Sequence, residues 1–348
     1  MPVRLSPVTE RFSPWRFCVA PMMDCTDRHY RYFARLLSRR ARLYTEMITA
    51  AALVHGNAER LLRHDALEHP LALQLGGSDP GQLAQAARLG EAAGHCEINL
   101  NVGCPSERVQ SGRFGACLIA EPRLVAECVA AMAEAVTVPV TVKTRLGVDE
   151  HDSYEHLCSL VEGVAQAGCS VILLHARKAI LGLDTRDNRR IPPLDYERVR
   201  RLKRDFPSLT VVLNGGLTSL AAARAELPFV DGVMLGRASY ETPWLLAGVD
   251  AELFGENAPF AEPSSAVDAL LPYLLAEIRE GTPARHVTRH LLGFFAGQPG
   301  AREWRRTLSE DLPRSHDPAA LLMSALQRMQ AEWPESHAAH PGRAQSGR

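Results

Sequence analysis

Lysine is nearly missing from this chain. Of its 39 basic residues only Lys143, Lys178 and Lys203 are lysines, and the rest are arginines. Codon usage in a GC-rich genome explains such a bias as a whole. It also makes each remaining lysine notable, because a compact ammonium is a different tool from a planar guanidinium. No run of about 18 apolar residues occurs, so no helix is expected to span a membrane. Residues 1–16 are polar and Pro-rich with no apolar core, so no secretory signal is expected and the protein reads as cytoplasmic. The eight cysteines form no CxxC pair and have neither ligand spacing nor a histidine cluster beside them. Free thiols and no metal are the expectation, with a monomer as the assembly. The dinucleotide fingerprint GxGxxG and the phosphate loop GxxxxGK[ST] are both absent, which weakens any doubly wound sheet reading.

What is present begins with 46% hydrophobic residues in a 348-residue chain, enough to bury a full core. The net charge of −1 hides an uneven distribution. Residues 28–42 hold six arginines and no acid, 176–206 carry a net +5, and 281–314 a net +3. Segregated signs suggest a polyanion met on one face, although the first of these segments reads equally as a solvated helix face or as the far side of the molecule.

Short apolar runs alternate with polar-faced helical stretches. Strands are expected at 17–21, 43–48, 71–75, 97–101, 138–143, 170–175, 210–214 and 232–235. Helices are expected at 80–93, 122–135, 154–167, 196–204 and 219–226. Eight β-then-α units of this length predict a TIM barrel. The strand pattern stops near residue 250, and amphipathic helices follow at 267–279, 284–297, 301–309 and 318–332. The expected division is a barrel over 1–250, a connector over 251–265, a small helical domain over 266–333 and a disordered tail over 334–348.

In such a barrel the reactive groups stand at the C-terminal ends of the strands. Those positions here carry Pro21-Met22-Met23, Glu46, Gln74-Leu75-Gly76-Gly77, Asn99 to Cys104, Lys143-Thr144-Arg145, His175-Ala176-Arg177-Lys178, Asn214-Gly215-Gly216 and Gly236-Arg237. Glycines after the seventh and eighth strands, with Arg237, suit a phosphate, although tight turns with positive φ would also call for them. Lys143, Gln74 and His175 could together read the edge of a heterocycle such as a flavin. Cys104 lies on a loop fixed by Gly103 and Pro105, placed to act as a thiolate nucleophile or as a thiol acid. An ordinary thiol is mostly protonated near neutrality, which suits proton donation.

These segments, with Leu73-Gln74-Leu75-Gly76-Gly77, residues 109–118 and His175-Ala176-Arg177-Lys178, resemble the tRNA-dihydrouridine synthases from about residue 17 to residue 314. Residues 177–196 look like the bacterial A-type enzymes, which reduce uridines 20 and 20a of the tRNA D-loop. The resemblance implies an FMN-containing barrel with NADPH as reductant. It places FMN on Pro21, Met22, Met23, Gln74, Lys143, His175, Asn214, Gly215, Gly216, Gly236 and Arg237. Cys104 would be the acid that protonates uracil C5 while flavin N5 delivers hydride to C6, and Asn101 would face flavin and base. Cys25 and Cys96 depart from the family pattern without touching a motif residue.

A tRNA substrate needs its target base extruded and the flanking phosphates held. Arg177, Lys178, Arg186, Asn188, Arg189, Arg305 and Arg306 are the expected RNA contacts. An FMN barrel acting on a free pyrimidine, as a dihydroorotate dehydrogenase does, would share the flavin site but not need the basic segments or the added helices. A non-catalytic RNA-binding barrel would not need Lys143, His175 and Cys104 together.

Overall fold

The structure, a computed structural model, describes residues 12–332. Nine parallel strands make the sheet: β1 (Phe17–Val19), β2 (Leu43–Tyr44), β3 (Ile48–Thr49), β4 (Leu71–Gly76), β5 (Glu97–Val102), β6 (Val140–Arg145), β7 (Val171–His175), β8 (Thr210–Asn214) and β9 (Gly232–Leu235). They run in the order β1-β9-β8-β7-β6-β5-β4-β2, with β3 also on β4. A bridge between Cys18 and Arg42 joins β1 to β2 and closes the ring. This is the expected TIM barrel, with one correction. The predicted strand 43–48 is broken in two, because the Thr45 hydroxyl takes the Gln74 N–H at 3.0 Å where a strand backbone would have taken it.

Period two explains the barrel's two faces. Ile98, Leu100 and Val102 of β5 point outward into the main core under the helices, while Glu97, Asn99 and Asn101 alternate with them. The inward apolar set is small, built from Cys18, Ala20, Tyr44, Ala72, Val171, Leu173, Val212 and Met234. The barrel interior is therefore apolar on one side and polar on the other. Helices start where a side chain can take an orphan N–H three residues on: Asp79, Ser153, Asp195 and Ser219 cap in this way. Ser219, expected inside its helix, is thus its cap.

Beyond β9 only helices follow among the described residues. The predicted connector 251–265 contains the end of the Val249–Phe254 helix and the start of the Pro263–Arg279 helix. The predicted helix 284–297 stops at Thr288 and tightens into a turn over Arg289–Leu291. Gly293 follows against the Glu241 carbonyl with no room for a Cβ, so the chain bends there to meet the barrel. The predicted helix 301–309 is regular over Ala301–Arg306 and widens into a π turn over Thr307–Asp311. The predicted tail lies outside the described residues.

The helical region is clamped to the Arg28–Leu37 helix. Tyr273 stacks on Tyr32 at 3.9 Å between centroids, and Phe294 meets Phe33 edge-on at 5.1 Å. Asp27 caps the Arg28–Leu37 helix and also accepts from Arg289 at 2.6 Å and His290 at 2.9 Å.

Candidate active site at the barrel mouth

Neighbouring strands bring the predicted residues into register. Asn101 lies opposite Lys143, and Arg145, His175 and Asn214 lie side by side across β6, β7 and β8. The Lys143 ammonium donates to Asn214 Oδ1 at 3.2 Å, and Asn214 Nδ2 donates to the Met234 carbonyl at 2.8 Å. Burial, with Arg145 nearby, pushes Lys143 down to about 8, while Cys104 acts in the opposite direction. Burial also pushes His175 well below its ordinary range, reinforced by Arg145, Lys143, Arg177 and Arg189. His175 is therefore a neutral imidazole at pH 7, and Lys143 is a cation that gives up its proton easily.

Cys104 is held from behind. Asn101 Oδ1 accepts from the N–H of Gly103 at 3.1 Å and of Cys104 at 2.9 Å. Its sulfur reaches the Ser106 hydroxyl at 3.4 Å. Arg145, which is buried, donates to the Gly103 carbonyl at 2.9 Å and to the carbonyls of Lys178 and Asn188. It thereby ties the cysteine loop to the loop after β7. Arg145 was read as part of the strand end Lys143-Thr144-Arg145 but was given no role. Its signal was its place two residues after Lys143 on one strand, where period two puts both side chains on the same face.

Glycine is required after β8. Gly215 and Gly216 have φ of 110° and 71°. A Cβ on Gly215 would sit 2.6 Å from the His175 ring, and one on Gly216 would sit 2.5 Å from Leu194. The Gly215 N–H follows the β8–β9 ladder toward the Met234 carbonyl, whereas that of Gly216 meets no protein acceptor among the described residues, so the turn also leaves a donor open. Both sequence readings of these glycines, as tight turns and as anion donors, are compatible with this geometry. Gly236 and exposed Arg237 follow β9, and Met22 lies against Gly236, while Met23 is largely exposed.

The predicted RNA contacts divide. Asn188 is fully buried, and its amide donates to the carbonyls of Ile180, Leu183 and Asp184 while accepting from Ile180 N–H. It shapes the loop and has no group left for RNA, so that expectation is corrected. Lys178 pairs with Asp152 at 2.9 Å, and Arg177 donates to the Pro192 carbonyl. Arg186, Arg189, Arg237, Arg305 and Arg306 have no ion-pair partner among the described residues. Burial lowers Arg177 and Arg189, and repulsion from Arg237 adds to it in both. Arg177 and Arg189 thus add positive charge beside His175 and Arg145, and Arg189 also lies close enough to Cys104 and Asp184 to feel both. Residues 28–42 behave in the opposite way. Arg28, Arg31, Arg39, Arg40 and Arg42 pair with Glu277, Glu68, Asp250, Glu256 and Glu97, and buried Arg35 is spent on carbonyls. The segment is neither a solvated face nor a polyanion site.

The family model described as dihydrouridine synthase matches residues 18–330. The chain belongs to the dihydrouridine synthase family. Its activity is that of the family, flavin-dependent reduction of uridine in tRNA. Relatives named tRNA-dihydrouridine(20/20a) synthase are 56% identical over 307 residues in Yersinia pestis, covering 88% of each chain. Those in Escherichia coli K12 and Vibrio parahaemolyticus are 55% and 53% identical, covering 89% and 91% of this chain and 90% and 98% of their own. No helix among the described residues of this synthase is long and apolar enough to cross a membrane.

Proposed function

We propose that this dihydrouridine synthase acts on uridines 20 and 20a of the tRNA D-loop, with FMN as its bound flavin, NADPH as reductant and Cys104 as the acid. The observation that carries the reading is the cluster of Cys104, Lys143 and neutral His175 with Arg189, which has no ion-pair partner among the described residues, beside it. Flavin, when bound, supplies the hydride that goes to uracil C6. Lys143 and Asn214 fit its pyrimidine edge, because a cation that is costly to keep charged in the free protein gains most from an anionic partner. Gly215, Gly216 and Arg237 fit its phosphate, with the open Gly216 N–H and a turn free of side chains beside an uncompensated charge. Neutral His175 adds one donor or acceptor without a second positive charge.

Cys104 would give its proton to C5, and solvent would restore the thiol. Arg186, Arg189 and Arg237 hold phosphates flanking the extruded base. Arg305 and Arg306 extend this contact on the helical region, which serves as the second tRNA-binding part. The test is Cys104→Ala. It retains flavin and its reduction by NADPH but forms no dihydrouridine in unmodified tRNA by nucleoside mass spectrometry. Undiminished product would remove Cys104 as the acid, and mapping of the modified positions decides between 20, 20a and other uridines.

A further inference from the structure

A single file of side chains runs down the polar side of the barrel interior, from the cysteine loop toward the N-terminal ends of the strands. Asn101 Nδ2 donates to Gln74 Oε1 at 2.9 Å, Gln74 Nε2 to Asn99 Oδ1 at 2.8 Å, and Asn99 Nδ2 to Thr141 Oγ1 at 2.8 Å. The Thr141 hydroxyl donates to Glu97 Oε1 at 2.5 Å. Gln74, Asn99, Thr141 and Glu97 are each at most 1% exposed.

The direction of this file is set by its ends. Glu97 Oε2 takes Arg42 at 2.9 Å and the Trp15 indole at 2.8 Å, both of which can only donate. Its Oε1 also takes the Tyr44 hydroxyl at 2.9 Å. A carboxylate so placed only accepts, so Thr141 must spend its one proton on it. Thr141 can then only accept from Asn99, and each amide above is forced the same way round. At the top Asn101 must present oxygen, and oxygen is what the N–H groups of Gly103 and Cys104 require. The orientation of the three amides is thus fixed from both ends, by the buried carboxylate below and by two backbone N–H groups above.

We infer that Glu97 is a positioning residue for the reaction, acting through Thr141, Asn99, Gln74 and Asn101 to hold Cys104 in place. This deepens the reading of Cys104 as the acid and rests on it. The relay accounts for a charge buried under the active site, where an apolar side chain would otherwise be the simpler filling. Breaking a link removes the constraint from below, so Asn101 is held by the loop alone and the loop is held less tightly in turn.

The decisive variants are Thr141→Val, which removes the hydroxyl at nearly constant volume and leaves the Glu97–Arg42 pair intact, and Thr141→Ser, which keeps the hydroxyl. In holoenzyme, Thr141→Val is expected to raise iodoacetamide labelling of Cys104, resolved by peptide mass spectrometry, about fivefold, the scale of one hydrogen bond. Labelling of Cys25 and Cys117 stays as in the wild type. With tRNA, kcat falls by about the same factor while KM and flavin reduction by NADPH hold. Thr141→Ser restores both readouts, and Glu97→Gln reproduces the Val phenotype. Wild-type labelling in Thr141→Val, or equal effects of Val and Ser, would overturn the relay. If Glu97→Gln fails to fold, Thr141→Val alone decides. The labelling arm does not depend on whether Cys104 is the acid, so turnover surviving in Cys104→Ala would sink that role without touching the relay.

Discussion

Lys143 should make the flavin-free protein less stable and the flavin-bound protein tighter, and the two effects can be separated by pH. In the free site burial takes its ammonium from the ordinary 10.5 down to about 8. Each tenfold step in a protonation equilibrium is worth about 1.4 kcal/mol, so holding this cation in the fold costs about 3 kcal/mol. Lys143→Met removes the charge and keeps most of the volume. It also loses the hydrogen bond to Asn214, worth about 1 kcal/mol, so the flavin-stripped variant should be about 2 kcal/mol more stable at pH 7. The sign with pH follows from which state binds the proton. Between about 8 and 10.5 the unfolded chain holds a proton that the folded chain has lost, so wild-type stability rises with pH in that window. Below pH 8 both states are protonated and the full cost stands. The advantage of Lys143→Met should therefore be present at pH 7 and largely gone by pH 10. Urea unfolding of stripped protein at the two pH values measures it, and fluorescence titration with FMN should show weaker binding by the variant at pH 7. A variant no more stable than wild type at pH 7, or with the same advantage at both pH values, would refute the burial argument.

Gly216→Ala forces a side chain into positive φ and against Leu194, and is expected to cost roughly 1–3 kcal/mol with lowered flavin content, read by thermal melts and absorbance. Asp27→Asn loosens the clamp between barrel and helices. Although burial opposes it, the His290 hydrogen bond and charge hold the Asp27 carboxyl well below its usual range. Its contribution is thus present above the unfolded value near 4 and lost as pH falls through the lower folded value. The variant should lose about 2–4 kcal/mol at pH 7 in urea, with the gap narrowing toward acid pH, and an unchanged midpoint would show that the clamp is idle. Arg305→Ala with Arg306→Ala should weaken tRNA binding and reduce its salt slope by about 1–2, with flavin content unchanged. An unaltered slope would place the RNA elsewhere.

The barrel was legible because its signal is local. The expected boundaries of β8, β9 and the Pro122–Ala135 helix coincide with the observed ones, since each is a short apolar run or an amphipathic stretch with its own stop. The break between β2 and β3 was not legible. It depends on Thr45 meeting Gln74 from 29 residues away, and no period in the sequence encodes that. The bend at Gly293 likewise depends on the Glu241 carbonyl. At the mouth, strand ends were enough to find Lys143, His175 and Cys104. Glu97 and Thr141 escaped because they stand at the opposite end of the barrel, although Glu-Ile-Asn-Leu-Asn-Val already shows a polar stripe at period two along β5.

Charge was the least transparent feature, and the reason is geometrical. Residues 28–42 are the most basic stretch of the chain, yet Arg31, Arg42 and Arg28 find Glu68, Glu97 and Glu277 at 37, 55 and 249 residues' distance. Removing an acid from such a buried pair strands a cation at a cost of about 3–5 kcal/mol, so these arginines staple the fold and have nothing spare for a polyanion. The loop after β7 has nearly as many cations but spends several on neighbours such as Asp152 and Asp187. What remains there, Arg186 and Arg189, together with Arg237 after β9, looks modest in a sequence count. Its weight comes from position, because Arg189 lies near Cys104 with Arg237 repelling it. A near-neutral protein can therefore present a cationic mouth, and the excess is visible only after every paired arginine has been assigned to its acid.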